Sequence, residues 1–356
     1  MIRTDKNLEK SEKILSLSGA EAVFIDCGYL TRYLTGFAVE DGYTLVDKEG
    51  TTLYTDKRYL EAAQKFLQNT SIAVREIDKN LPPEKLLSRY QTVAIAFAET
   101  SVTRYKMLEK CGATLLDATT AFAKTRAIKT QEELSYIQRA CEIAERAFEQ
   151  LLPRIKEGTT EREVAALLEY LMRKEGADGT SFDTIVAFGE HAAVPHHATG
   201  DRLLAFGDEI LMDFGCKVEG YCSDMTRTML YGDDGKHEAF KKAYQAVLTA
   251  HQKVLSEVKI GMTAGQADEI ARGYLTAQGY GEYFTHSLGH GIGLQIHEFP
   301  TLTKGRETPL EDGMVFSNEP GVYVAGEYGI RIEDTVTMQS GAIVSLMKTK
   351  KDLIIL

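Results

Sequence analysis

The feature of this sequence that most constrains its fold is a repetition in the C-terminal two thirds of the chain. A Gly-x-Thr helix start at residues 158–160 recurs 103 residues later, at residues 261–263. The helices that follow end at glycines with the same spacing, Gly176 and Gly279. After each helix comes a Gly-rich, strand-rich stretch that ends in an acidic hairpin. We therefore predict two related helix–helix–hairpin halves within residues 125–356.

Three capping boxes predict where the long helices of this region begin. In each, a threonine is followed three residues later by Glu or Gln, so that both side chains satisfy backbone N–H groups of the first helical turn. The pairs are Thr130 with Glu133, Thr160 with Glu163, and Thr263 with Gln266.

The N-terminal third of the chain alternates strand-like and helix-like segments. β-rich runs lie at 22–25, 43–46, 51–54 and 93–97, and amphipathic stretches lie at 57–68 and 102–111. This part contains no acid/base cluster and no metal-ligand spacing. We predict an α/β (α+β) chain with a small α/β domain over residues 1–124 and a larger domain over residues 125–356.

Composition excludes several classes of protein. Lys and Arg total 41 against 52 Asp and Glu, a net charge of −11, which disfavours nucleic-acid or anionic-membrane partners. No apolar run approaches the roughly 20 residues of a membrane span, and residues 1–6 lead into no signal-like apolar segment. The five cysteines are scattered, as is typical of reduced thiols. We expect a cytoplasmic protein.

The first acidic hairpin lies within residues 209–230. A symmetric turn centred between Val218 and Glu219 would place Asp213 directly opposite Asp224. Opposed like charges destabilise a sheet. Because the flanking residues are apolar, these carboxylates are predicted to be buried and to need a cation.

The second acidic hairpin repeats the arrangement. A turn centred on Gly326 predicts that Glu319 lies opposite Glu333. Two independent hairpins thus each oppose two carboxylates, and four buried carboxylates carry enough charge for two divalent cations.

A glycine-rich segment at residues 286–297 adds imidazole donors. It holds three of the eight histidines of the chain, His286, His290 and His297. Carboxylate and imidazole donors without a thiolate cluster favour Mn²⁺, Co²⁺, Fe²⁺ or Zn²⁺. A pair of such ions activates a water and polarises a carbonyl, so we predict hydrolysis, with an amide as the expected substrate bond.

The metal-ligand pattern resembles that of the pita-bread metallopeptidases. The motifs MDFG, YCSDMTRT, HSLGHGIGL, SNEPGVY and GIRIED carry, in order, Asp213, Asp224, His290, Glu319 and Glu333. The resemblance covers residues 125–356. Residues 32–37 resemble the smaller, creatinase/prolidase-like N-terminal domain of the proline-directed branch, which includes Xaa-Pro dipeptidases and aminopeptidase P. The implied fold is this small α/β domain followed by a pseudo-twofold pita-bread catalytic domain.

The resemblance implies a role for each metal ligand. Asp213 would bind one metal ion, and Asp224 and Glu333 would bridge both ions. His290 and Glu319 would complete the shell of the second ion. Glu319 would also act as the general base.

The resemblance also implies roles for residues that bind no metal. His196 would contact substrate or transfer a proton, and His297 would stabilise the tetrahedral intermediate. His286 and Arg331 match positions that line the site in proline-specific members. His197 departs from the familiar pattern and receives no role.

The implied function is hydrolysis of the Xaa-Pro bond at a free N-terminus by a water that two metal ions activate. The expected substrates are proline-containing dipeptides or short peptides. The expected metal is Mn²⁺, with Co²⁺, Zn²⁺ and Fe²⁺ as alternatives, and the expected assembly is a homodimer. The choice between a dipeptidase and an aminopeptidase of longer substrates stays open.

Two alternatives remain at this point. One is an aminopeptidase of methionine-type specificity, although such enzymes lack the smaller N-terminal domain. The other is a catalytically silent binding module on the same fold, against which the complete set of five ligands argues.

Overall fold

A computed structural model describes residues 4–356, and residues 1–3, part of the segment for which no signal-like sequence is expected, lie outside the described part. The chain divides into two compact units, with the boundary between Arg126 and Ala127. Within residues 4–356, no helix has the length and apolar character that a membrane crossing requires.

The N-terminal unit is built around a six-stranded mixed sheet with strand order β4-β3-β2-β1-β5-β6. Its elements are α1 (Thr4–Ser18), β1 (Ala22–Ile25), α2 (Gly28–Thr35), β2 (Gly42–Asp47), β3 (Gly50–Thr55), α3 (Lys57–Leu67), β4 (Ala73–Glu76), α4 (Pro83–Leu87), β5 (Thr92–Ile95), α5 (Val102–Leu108), β6 (Thr114–Asp117) and α6 (Thr119–Ala127). The four predicted β-rich runs overlap β1, β2, β3 and β5, and the two amphipathic stretches overlap α3 and α5. The predicted elements of this unit are therefore confirmed.

The C-terminal unit carries its helices against a larger, mainly antiparallel sheet with strand order β14-β13-β15-β18-β12-β9-β8. Its elements are α7 (Gln131–Leu151), α8 (Glu161–Lys174), β7 (Gly179–Thr180), β8 (Ile185–Phe188), β9 (Glu209–Phe214), β10 (Cys216–Val218), β11 (Tyr221–Cys222), β12 (Met225–Leu230), α9 (Glu238–Glu257), α10 (Ala264–Ala277), β13 (Gly289–Gly291), β14 (Glu298–Leu302), β15 (Val315–Asn318), β16 (Gly321–Val324), β17 (Tyr328–Arg331), β18 (Glu333–Gln339), β19 (Ala342–Ser345) and β20 (Ile354–Ile355).

The predicted repetition is present in the structure. Each half has a long helix, a second helix that begins with a capping box, and a hairpin. The backbone N–H of Gly158 donates to Leu204, and that of Gly261 donates to Leu310, so the two helix starts are tied down in the same way. All three predicted capping boxes form, at Thr130, Thr160 and Thr263.

The predicted register of the first hairpin is wrong by two residues. Asp213 pairs with Thr226 instead of Asp224. The turn residues are Glu219 and Gly220, both with positive φ (50° and 76°), as a two-residue type I′ turn requires. Because side chains alternate with a period of two, this shift leaves Asp213 and Asp224 on the same face as diagonal neighbours. The carboxylates still converge, although they are not directly opposed.

The predicted register of the second hairpin is confirmed. Gly321 pairs with Arg331 across a turn centred on Gly326, and β15 and β18 keep the same register. Glu319 lies between β15 and β16, and Glu333 begins β18. The hairpin therefore delivers both carboxylates to the same end of the main sheet.

Candidate metal centre

A cavity of about 540 Å³ opens in the C-terminal unit. All nine predicted site residues line it: His196, Asp213, Asp224, His286, His290, His297, Glu319, Arg331 and Glu333. The sequence separates them by up to 137 positions, and the sheet brings them together because β9, β12, β13, β15 and β18 are neighbours. Apolar side chains of Phe182, Ile185 and Ile296 also line the cavity.

Three predicted ligands form a compact donor group. Asp224, His290 and Glu333 each offer one ligand atom, and these atoms lie within 4.8 Å of one another. The Nε2 atom of His290 is 3.5 Å from Asp224 Oδ2 and 3.4 Å from Glu319 Oε1. Four of the five predicted ligands therefore surround one small volume, and Asp213 lines the same cavity.

Ser317 on β15, which was not among the predicted site residues, orients two of these predicted ligands. Its hydroxyl accepts a hydrogen bond from the backbone N–H of His290 (3.0 Å) and donates one to Glu319 Oε1 (2.9 Å). This close approach requires Gly289, where an added Cβ would lie 2.0 Å from the Ser317 carbonyl oxygen. The available signal was the position of Ser317, two residues before Glu319 and in phase with it.

A buried chain of hydrogen bonds links Asp213 to Glu333. Arg331 donates from Nη2 to Asp213 Oδ2 (2.5 Å) and from Nε to the Thr226 hydroxyl (3.0 Å). Thr226 in turn donates to Glu333 Oε2 (2.6 Å). Arg331 thus holds one carboxylate directly and a second one through Thr226, a contact that depends on the register of β12 and β18.

Tyr323 connects the two predicted substrate-binding residues. Arg331 Nη1 donates to its hydroxyl (2.7 Å), which also lies 2.9 Å from His286 Nε2. Tyr323 was not among the predicted site residues, although the register of the second hairpin places it diagonally across from Arg331. Burial lowers the pKa of His286 to about 4, so this imidazole is neutral at pH 7.

The remaining two histidines lie at the exposed side of the cavity. His196 is close enough to His286, His297 and Glu319 for its charge to influence their pKa values. The ring of His297 packs edge-on against that of His290, with centroids 4.3 Å apart. Burial, followed by the neighbouring imidazoles, lowers the pKa of His297 and keeps it neutral at pH 7.

The electrostatics of the cavity fit bound cations. Burial and mutual repulsion raise the pKa values of Asp224 and Glu333 well above the ordinary range, and burial raises that of Glu319 to about 7. Within the described residues, Asp213 Oδ1, Asp224 Oδ1 and Glu333 Oε1 are buried without a hydrogen-bond partner. Buried oxygens of this kind need a partner, and oxygen and imidazole donors suit divalent metal ions.

Chelated protein is expected to lose stability as the pH rises from about 4.5 to about 7, the ordinary and the folded-state pKa of Glu319. The folded-state pKa values of Asp224, Glu333 and Glu319 are raised, so the folded chain holds protons that the unfolded chain has released. The free energy of unfolding therefore falls as the pH passes through the folded-state values. Thermal unfolding after verified metal removal measures this effect.

Glu333→Gln is the matched control for that measurement, because its side chain cannot ionise. The chelated variant should unfold at a higher temperature than chelated wild type at about pH 8, with a flatter pH dependence. Equal melting curves for the two chelated proteins would contradict the burial of uncompensated carboxylates.

Two family models match the chain. The one described as "Metallopeptidase family M24" matches residues 135–340, and the one described as "Creatinase/Prolidase N-terminal domain" matches residues 8–128. The predicted fold class, a small α/β domain followed by a pita-bread catalytic domain, is thereby confirmed.

Relatives and solved structures of similar length are found across nearly the whole chain. An Xaa-Pro dipeptidase of Pyrococcus furiosus is 36% identical over 98% of this chain and 99% of its own length. The structure of an Xaa-Pro dipeptidase from Bacillus anthracis is similar with a TM-score of 0.92, at 35% identity over 98% of this chain and all of that one. The structure of an X-Pro aminopeptidase from Thermotoga maritima is similar with a TM-score of 0.89, at 34% identity over 98% of this chain and all of that one. This chain, with its cavity of carboxylates and histidines, belongs to metallopeptidase family M24.

Proposed function

We propose that this metallopeptidase hydrolyses the Xaa-Pro bond at the free N-terminus of dipeptides or short peptides. The observation that carries the proposal is the cavity itself, where nine predicted residues converge and three buried carboxylate oxygens lack partners among the described residues. Similarity over the full length to relatives named Xaa-Pro dipeptidase supports the proline specificity.

The metal ligands in this proposal are Asp213, Asp224, His290, Glu319 and Glu333, and they hold two divalent ions. Asp224 and Glu333 would be shared by both ions, and the charges of neighbouring carboxylates act on both residues. Mn²⁺ is our choice of metal, with Co²⁺, Zn²⁺ and Fe²⁺ as alternatives. When bound, the ions supply Lewis-acid polarisation of the scissile carbonyl and activation of a water.

Glu319 is the proposed general base. Its carboxylate lies 3.4 Å from His290 Nε2, among the proposed ligands, where it can accept a proton from water and release it again. The Ser317 hydroxyl holds one of its oxygens in place. The proton must reach the nitrogen of proline, which carries no hydrogen in the Xaa-Pro amide. Glu319 is the residue proposed to deliver it.

Three imidazole groups complete the proposed catalytic group. His297, whose pKa is lowered, presents an N–H donor to the negative charge that develops on the carbonyl oxygen. His196 contacts the substrate or transfers a proton. His286 and Arg331, joined through Tyr323, form a rigid polar wall for substrate binding. Binding through these groups does not require an amide N–H from the substrate, and the Xaa-Pro bond has none.

We also propose the setting in which the enzyme works. Residues 1–124 act as the small domain and residues 125–356 as the catalytic domain of a cytoplasmic homodimer. Five free cysteines and a net charge of −11 support a reducing compartment without nucleic-acid or membrane partners. Light scattering of the purified protein tests the dimer.

The proposed function is tested with a panel of Ala-Pro, Ala-Pro-Ala and Met-Ala peptides. We expect cleavage of the Ala-Pro peptides to require added metal, to be lost on chelation and to return with Mn²⁺. A much higher kcat/KM for Met-Ala would overturn the proline assignment in favour of methionine-type specificity. Complete inactivity of the metal-loaded protein would support the binding module.

A further inference from the structure

A second group of ionisable residues lies outside the metal centre, around Glu161 at the start of α8. The side chain of Glu161 is fully buried, and both of its oxygens are occupied. Oε1 accepts from the backbone N–H of Phe188 (3.0 Å) and lies 2.8 Å from His191 Nδ1. Oε2 lies 2.9 Å from His197 Nε2 and accepts from the N–H of Gly200 (3.0 Å).

This group needs no metal ion. Burial opposes ionisation of Glu161, but hydrogen bonds from His197, from the backbone N–H of Phe188 and from His191 outweigh it and hold its pKa below the ordinary value. Four donors around one ionised carboxylate satisfy it completely. The arrangement is therefore a hydrogen-bonded anchor.

The anchor clamps the loop that carries His196. Phe188 and Gly200, at the two ends of this loop, both bond to Glu161. A tight turn within the loop is closed by the N–H of His197, which donates to the Val194 carbonyl (3.1 Å). Of two adjacent turn residues, His196 lines the cavity and His197 contacts Glu161. The bond of His197 therefore limits where the His196 imidazole can lie.

The opposite side of the loop is held by β17. A Cβ atom at Gly329 would lie 1.7 Å from the carbonyl oxygen of Ala192, so strand and loop are in close contact. Arg331 Nη1 lies 3.5 Å from the Pro195 carbonyl oxygen. The loop is thus confined between Glu161 on one side and the wall of the cavity on the other.

We propose that Glu161, through His197 and His191, is a positioning residue that holds His196 in its productive place. The inference deepens the proposed function and rests on the assignment of His196 made there. Misplacing a reacting group by about 1 Å costs up to about 10²-fold in rate. Loss of the anchor should therefore slow the reaction without touching the metal ligands.

A double-mutant cycle tests this coupling. Glu161→Gln places an amide group against four donors, so at least one loses its acceptor. We expect kcat on Ala-Pro to fall about 10-fold, with two metal ions still bound. In a His196→Ala background, Glu161→Gln should cause no further loss, because residues that act through one group are not additive.

A second pair of variants keeps the test independent of the folding of Glu161→Gln. In His197→Gln the side-chain amide retains a donor near the position of Nε2, whereas His197→Leu has none. The glutamine variant should keep most of wild-type kcat, and the leucine variant should match Glu161→Gln. Hydrogen exchange of residues 189–200 should increase in the leucine variant and remain unchanged in α9 (Glu238–Glu257).

Several results would overturn the proposal. If the losses of Glu161→Gln and His196→Ala multiply, the two residues act independently. Equal kcat for the two His197 variants would show that the donor is unimportant. If His196→Ala itself loses nothing, the role of His196 in the proposed function fails together with this inference. If wild type cleaves Xaa-Pro peptides and His196→Ala lowers kcat but Glu161→Gln does not, the positioning role of Glu161 is wrong and the proposed function still holds.

Discussion

Replacing Glu333 with glutamine is expected to abolish activity and to disturb both metal ions. One of its oxygens accepts from Thr226, and the other is buried without a partner among the described residues. The glutamine amide removes a negative charge. It would face the ions either with its NH₂ group or with a neutral oxygen, which binds metal less strongly than a carboxylate oxygen. We expect kcat/KM to fall by roughly 10³-fold or more, because metal catalysis is worth several kcal/mol. Peptide assays with elemental analysis measure both effects.

Glu209→Gln is the matched control for Glu333→Gln. Glu209 is also a buried glutamate, on the neighbouring part of the same sheet, and it does not line the cavity. This control should retain metal and activity. A Glu333→Gln protein that keeps one ion at full, undisturbed occupancy would refute the bridging role, and Asp224→Asn should give the same result as Glu333→Gln.

Replacing His297 with alanine is expected to lower kcat by roughly 10²–10³-fold, the scale for loss of one oxyanion donor. Metal content should stay near that of wild type, because His297 packs against the proposed ligand His290 without belonging to the compact donor group. The change removes a neutral N–H donor that acts only once charge develops, so KM should change little. Steady-state kinetics on Ala-Pro separates the two parameters.

Two comparisons make the His297 experiment specific. Glu319→Ala should lose both activity and metal, because Glu319 is proposed to serve as ligand and base. His237→Ala, at a histidine that does not line the cavity, should leave kcat unchanged. Full turnover of His297→Ala on Xaa-Pro peptides would show that this residue has no catalytic role.

Elements whose cause lies within a few residues were predictable from the sequence. A capping box is closed between residues three positions apart, and the boxes at Thr130, Thr160 and Thr263 form as predicted. Four of the six strands of the N-terminal unit, β1, β2, β3 and β5, follow from short β-rich runs in the same way. The register around Gly326 was also predictable, because a single glycine in the αL region marks the turn.

The first hairpin marks where local reasoning failed. Its turn uses Glu219, a residue that seldom adopts positive φ, together with Gly220. The chain turns at Glu219 and Gly220 and not between Val218 and Glu219 as predicted. This choice depends on the sheet beyond the hairpin, where the β9–β12 ladder pairs Thr226 with Asp213. Asp213 and Asp224 nevertheless converge as predicted, because a register shift of two residues leaves each side chain on the same face of its strand.

The sequence by itself determined the chemistry of the donor set, since the carboxylates and imidazoles lie in short recognisable motifs. Only the tertiary structure decided what holds them. Thr226 reaches Glu333 across 107 residues, and His197 reaches Glu161 across 36. Such contacts join strands and loops that are distant in the chain. Their partners are selected by the packing of the whole sheet and by the need to satisfy every buried polar group, which no short segment encodes.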